Sequence, residues 1–296
     1  MLSLKNSLLQ LTISPIGAEL QKISAVQNSL EFMWDGNPEI WASHAPNLFP
    51  IVGALKDNTY IYKTQYYTLP KHGFVRHNPD FEVAHQSEQK LSLKLIASEA
   101  SLKNYPFKFE YGVSYELVDN TIKITYTVKN TDDKTMYFSV GGHPAFKCPL
   151  YPDEAYNDYR LDFDQAENSA THLINMDNGL LNLETEPAFN TPHSIQLHEH
   201  IFDKDALVFK DLKSDNISLT SKTHGKILTV HFPDFPFLGI WAKPKANYVC
   251  IEPWQGVADS ENSNQLLTEK EGIVALANHK TYSASYTIEI HKAHLV

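Results

Sequence analysis

The sequence predicts an all-β protein: a large antiparallel β-sandwich with few short helices. Three observations predict it. Apolar and polar residues alternate with period two from one end of the chain to the other, the breaks between these runs carry turn residues, and helical patterning is confined to short pieces. Leu91, Leu93 and Leu95 alternate with Ser92 and Lys94, the pattern of a half-buried strand. Phe109, Tyr111, Val113, Tyr115 and Leu117 alternate with Glu110, Gly112, Ser114 and Glu116; after Asp119-Asn120, Ile122, Ile124, Tyr126 and Val128 alternate with Lys123, Thr125, Thr127 and Lys129. The Asp-Asn joint and the later Asn130-Thr131-Asp132-Asp133 are turn chemistry, so these two strands are expected to pair antiparallel. Residues 151–200 mix prolines, Asn/Asp clusters and short apolar pieces, which predicts long excursions between strands at one end of the sheets, where sites usually sit. A helix is expected over 263–271, stopped by Gly272. Tyr282, Ala284, Tyr286, Ile288 and Ile290 form the last alternating strand.

No Pro/Gly/Ser linker, low-complexity tract or internal repeat divides the 296 residues, so residues 1–296 are expected to form one domain. With 42% hydrophobic and 20% charged residues the chain has ordinary globular composition. A net charge of −10 and a pI near 5.7 argue against nucleic acid or an anionic membrane as partner, since either needs a basic face. Two cysteines, Cys148 and Cys250, make no disulfide framework, and the start of the chain has no signal-peptide pattern, so a cytoplasmic location is expected.

Three segments carry chemistry. In Tyr137-Phe138-Ser139-Val140-Gly141-Gly142-His143-Pro144-Ala145-Phe146 a histidine leaves a β-rich run at a Gly-Gly break and proline stiffens the exit, which holds the imidazole of His143 as a candidate proton donor. In Tyr248-Val249-Cys250-Ile251-Glu252-Pro253-Trp254-Gln255-Gly256, Glu252 is expected at the end of a buried strand, where desolvation raises a carboxylate toward the pKa of a working base, with Trp254 as an apolar wall. In Lys71-His72-Gly73-Phe74-Val75-Arg76, one of only two arginines in the chain lies near His72 and a turn glycine, a grouping suited to hydroxyl or oxyanion recognition. A satisfied core histidine, a salt-bridged strand-end glutamate and a polar surface turn with Phe74 tucked into the core are the bland alternatives.

In this order, His-Gly-Phe-x-Arg, Gly-Gly-His-Pro-Ala-Phe and Glu-Pro-Trp-x-Gly resemble the aldose 1-epimerase (galactose mutarotase) family, and within it the LacX-type branch. The resemblance runs from Pro46-Asn47-Leu48-Phe49-Pro50 to the closing strands. It implies a galactose mutarotase-like sandwich with an open cleft, and an isomerase of carbohydrate metabolism that interconverts the α and β anomers of an aldohexose such as galactose or glucose. Glu252 matches the general base and His143 the general acid, converging on opposite edges of one pyranose. His72 matches a second site histidine, Arg76 a hydroxyl- or phosphate-recognising arginine, and Asp205 a sugar-binding aspartate for which Asp203 stays an alternative. Trp254 and Phe74 are expected to stack on the sugar. Many relatives carry arginine where this chain has Ala54, so a cationic contact is missing unless Lys56 supplies it.

The implied partner is a small-molecule sugar, with or without a phosphate, bound by a monomer or homodimer; no cofactor and no metal is expected. His198 and His200 share one face if Leu197–His200 is a strand, but nothing completes a ligand set there. Cys148 and Cys250 read as packed neutral thiols. The competing functions are a glycoside hydrolase using Glu252 and Asp205, a non-catalytic sugar-binding module or sensor, and a hexose-6-phosphate epimerase.

Overall fold

A computed structural model describes residues 1–296. Its frame is two large antiparallel sheets. One has nine strands in the order Ser194–Gln196, Tyr159–Phe163, Asn216–Ser221, Gly225–His231, Thr281–Ile290, Thr121–Asn130, Phe109–Val118, Lys90–Ile96 and Glu82–Gln86. The predicted pair at its centre forms with Thr121 opposite Val118 and Asn130 opposite Phe109, and the apolar member of every alternation points inward. The other sheet runs Leu180–Pro187, Ala170–Asn175, Leu207–Phe209, Phe237–Trp241, Tyr248–Gln255, Val140–Gly142 and Asn47–Leu48, and Ala145–Lys147 adds to the edge of Tyr248–Gln255. The expected sandwich is therefore what the chain forms, with its apolar faces packed between the sheets.

Aromatic rings fill much of the space between them. Phe49 stacks on Tyr111 at 4.7 Å between ring centroids and meets the rings of Phe109, Phe138 and Tyr105. Buried tyrosines need a partner for the hydroxyl. Tyr126 Oη donates to Asn47 Oδ1 (2.9 Å), Tyr115 Oη donates to the Ala18 carbonyl (2.6 Å), and Asn47 Nδ2 donates to the carbonyls of Gly17 and Ala18. This network ties the N-terminal sheet (Leu2–Lys5, Leu9–Ile13, Leu20–Ala25) to the short strand Asn47–Leu48, which pairs with Gly141–Gly142. No helix is long and apolar enough to cross a membrane.

Three expectations are corrected. The stretch 263–271 holds a single 3-10 turn, Leu267–Glu269; its polar side chains bind loop backbone instead, as in Gln265 Nε2 donating to the Lys56 carbonyl. The one α-helix is Glu99–Asn104, capped by Ser98. Residues 151–200 are less irregular than expected: they supply four strands, including the Ala170–Asn175 and Leu180–Pro187 hairpin. Leu197–His200 is no strand; His198 and His200 lie in an exposed turn where His200 Nδ1 meets Asp203 Oδ2 at 2.9 Å.

Candidate active site

A cleft of about 190 Å³, the scale of one small molecule, opens beside the eight-stranded sheet. Its floor is set by strand register. Gly141 pairs with Trp254 and Ala145 with Cys250, so the same register carried across the interruption at His143-Pro144 sets His143 directly opposite Glu252. The interruption has a partner in Pro253, which lacks an N–H and sits where no ladder bond is formed to that side. Gly141 and Gly142 are required by close approach: a Cβ on Gly141 would lie 2.8 Å from the Trp254 ring, and one on Gly142 would lie 2.8 Å from Tyr286 Oη. Glu252 therefore stands within a strand buried over seven of its eight residues, not at its end.

His143 Nε2 lies 3.2 Å from Glu252 Oε2, with both side chains buried. They are neighbours on adjacent strands, so they reach a ligand side by side and not from opposite edges. Burial pushes the Glu252 carboxyl well above its ordinary value; Asp205 adds to this, while Lys71 and the Trp254 indole oppose it. Burial pushes the His143 imidazole down to about 3, helped by the charges of Lys71 and Arg76. Trp41 stacks on the His143 ring at 5.1 Å, and Trp241 and His72 meet it edge-on at 5.8 and 5.7 Å.

His72 is fixed by a reciprocal clamp. Its backbone N–H donates to the Gly53 carbonyl (2.9 Å), and its Nδ1 accepts from the Gly53 N–H (3.1 Å). An acceptor at Nδ1 places the ring proton on Nε2, which makes His72 a hydrogen-bond donor to the cleft. Burial holds this ring neutral by pushing its pKa well below 6.5. The following Gly73 has φ +75°, and a Cβ there would lie 2.1 Å from the Phe49 carbonyl oxygen. Gly73→Ala is expected to cost at least about 1 kcal/mol in chemical denaturation and to weaken ligand binding by shifting His72.

Of the residues expected at the site, Glu252, His143, His72, Arg76, Asp205 and Trp254 all line the cleft. Phe74 does not. Its ring packs edge-on against Phe49 and near Tyr105 and Phe109, so it belongs to the core beneath the turn. Asp205 enters the cleft from a residue with φ +71°, its Oδ1 accepting from Ala206 N–H, whereas Asp203 points to His200 on the outside. Lys56 turns away, its Nζ donating to the Glu261 carbonyl at 2.8 Å, so it does not replace the missing arginine. Lys71, Trp41 and Trp241 line the cleft and were not expected there. A signal for the tryptophans existed: the chain has four, and only Trp34, packed on Tyr248, lies outside the cleft. Both cysteines are buried and free, and burial pushes both thiols well above their ordinary pKa.

The cleft thus sets a buried carboxylate against a buried imidazole, with aromatic rings and charged side chains on its walls. A family model for aldose 1-epimerase matches residues 1–266. The chain belongs to the aldose 1-epimerase family. It is 33% identical over 297 residues to the plasmid-encoded LacX protein of Lactococcus lactis subsp. lactis, covering 98% of this chain and 99% of that one. Its fold superimposes on a galactose mutarotase related enzyme from Lactobacillus acidophilus with a TM-score of 0.92 at 36% identity, covering 99% and 97% of the two chains. A galactose mutarotase-like protein from Lactobacillus casei gives a TM-score of 0.91 at 27% identity, with 98% and 100% covered. A sugar epimerase or mutarotase role follows.

Proposed function

We propose that the protein is a mutarotase that interconverts the α and β anomers of an aldohexose such as galactose or glucose, with Glu252 and His143 as its acid–base pair and no cofactor. The observation that carries this reading is the 3.2 Å contact between His143 Nε2 and Glu252 Oε2 at the cleft floor. Ring opening takes a proton from the hydroxyl on C1 and gives one to the ring oxygen. Both oxygens are bonded to the same carbon, so an acid and a base side by side suit them. The free aldehyde then turns about its C1–C2 bond and recloses, and the two groups exchange roles.

The opposite pKa shifts support a pair that holds one shared proton. Without sugar, desolvation favours neutral Glu252 and neutral imidazole, the same proton count as the carboxylate and imidazolium that ring opening needs. Transfer across the short contact interconverts the two. His72 Nε2–H, Arg76 and Asp205 are the hydroxyl contacts, and Trp254, Trp41 and Trp241 the apolar walls. Glu252 thus has an imidazole as its immediate neighbour.

His143→Asn should lower the polarimetric rate of anomer exchange by about 10² or more. The pH profile of kcat/KM should fall on the acid side toward about 3, where His143 takes a second proton and no base remains. On the alkaline side it should fall where Glu252 loses the shared proton, well above an ordinary carboxylate. A profile that is flat upward from about pH 5, as for an unperturbed carboxylate base, counts against the pair. Lys71 and Arg76 together favour a second reading, a sugar 6-phosphate as substrate. Freshly dissolved α-aldoses and their 6-phosphates, followed by polarimetry, separate the two; no acceleration with any sugar sinks both and leaves a binding module.

A further inference from the structure

Cys250 has no part in the acid–base cycle, yet its sulfur, a ring nitrogen of His143 and a carboxylate oxygen of Glu252 all lie within 4.8 Å of one another. We propose that these three side chains form a binding site for a thiophilic divalent cation of the zinc type, and that an ion held there shuts the sugar site.

The fold presents the three ligands together. Glu252 and Cys250 are two residues apart on one strand and so share a face; His143 stands opposite Glu252 on the neighbouring strand. The set is one imidazole, one thiol and one carboxyl, the three side-chain types that bind zinc, and a three-ligand site keeps a fourth position open. The 3.2 Å between His143 Nε2 and Glu252 Oε2 fits one edge of a tetrahedron with metal–ligand bonds of about 2.0–2.1 Å, whose edges are about 3.4 Å. A sulfur ligand selects zinc-like ions over magnesium or calcium.

A second observation points the same way. Glu252 Oε2 is buried and makes no hydrogen bond beyond its 3.2 Å approach to His143 Nε2. Leaving such an atom without a full partner is costly, and an ion at the cluster would engage it. Trp41 stacks on both His143 and Tyr248, at 5.1 and 5.5 Å, on either side of the cluster. Cys250 is fully buried, so an ion reaches the sulfur only if the half-buried Trp41 moves aside. On coordination the Cys250 thiol and the Glu252–His143 pair each release one proton to solvent, and the three bind as thiolate, carboxylate and neutral imidazole.

Cation binding stands on the geometry alone; the shut-off rests on the mutarotase reading, because the ion occupies the proposed acid and base. Cobalt(II) is the probe, added to untagged protein. The expected result is a near-ultraviolet sulfur-to-cobalt charge-transfer band, abolished by stoichiometric zinc, absent in Cys250→Ser and retained in Cys148→Ser. Zinc affinity should fall in Cys250→Ser by more than the roughly 10–100-fold that loss of an outer-shell partner costs. Metal-free Cys250→Ser should turn over sugar at close to the native rate but resist zinc. Cobalt binding without the sulfur band, or zinc affinity unchanged in Cys250→Ser, overturns the site whatever the sugar assays give. A native sulfur band together with full sugar turnover in zinc overturns the shut-off.

Discussion

Glu252→Gln is expected to abolish measurable acceleration of anomer exchange while largely sparing sugar affinity. Glutamine has the shape of the carboxyl and keeps a donor and an acceptor for sugar hydroxyls, but it neither takes nor releases a proton in the cycle. Loss of a positioned general base removes about 10²–10⁴ in rate. Polarimetry of freshly dissolved α-sugar measures the rate and calorimetry the affinity; a variant turning over at the native rate would falsify the assigned base. Stability should move the other way. A carboxyl whose folded pKa is raised stabilises the fold fully below its unfolded pKa, and that contribution is lost as pH rises through the folded pKa. At neutral pH the native protein therefore carries a penalty for Glu252 that glutamine lacks. Glu252→Gln should melt at the same temperature as the native protein or higher, with a smaller loss of stability between acid and alkaline pH. Lower stability in the variant would mean that the carboxylate is held by contacts stronger than its burial.

Half of the architecture was legible because only half of it leaves a period-two trace. Phe109–Val118, Thr121–Asn130 and Thr281–Ile290 are covered on one face, so core and solvent sides alternate in the letters. In the sheet that carries the site, seven consecutive residues of Tyr248–Gln255 are buried, and such a strand reads only as an apolar run. Val140–Gly142 and Ala145–Lys147 beside it, and Leu207–Phe209 one strand farther, are three residues each, too short for any period. The site motifs were legible for a different reason: glycine and proline beside an ionisable residue mark backbone that must break or approach closely. That Glu252 and His143 are direct cross-strand partners is a matter of register, which no local pattern encodes. Lys71, Trp41 and Trp241 escaped for the same reason, and Phe74 was misplaced because a turn aromatic packs inward or outward according to contacts far away in the chain.

Lys270→Ala should destabilise the protein by about 3–5 kcal/mol, the cost of leaving a buried charge without its partner. Lys270 Nζ donates to Asp259 Oδ1 (2.8 Å) and to the Val257 carbonyl (2.7 Å), and the side chains are only 3% and 4% exposed. Burial lowers the lysine pKa, and Asp259 opposes that shift, so the ammonium depends on its partner. Asp259 is also a junction. Its Oδ2 accepts from Lys56 N–H, its own N–H donates to the Ala54 carbonyl, and its carbonyl accepts from Leu181 N–H. These bonds hold Ala258 against Gly53, whose N–H orients His72, so loss of Lys270 should weaken sugar binding even at temperatures where the variant is folded. Lys90–Glu116 is the control: its 2.6 Å contact is shorter, but both side chains are more than a third exposed, and Lys90→Ala should cost no more than about 1 kcal/mol. Asp259→Asn combined with Lys270→Met removes both charges and should recover much of the loss. Urea unfolding of the four proteins decides the matter: if Lys270→Ala unfolds like Lys90→Ala, the pair is not the brace of the cleft, and another contact must hold the loop that positions His72.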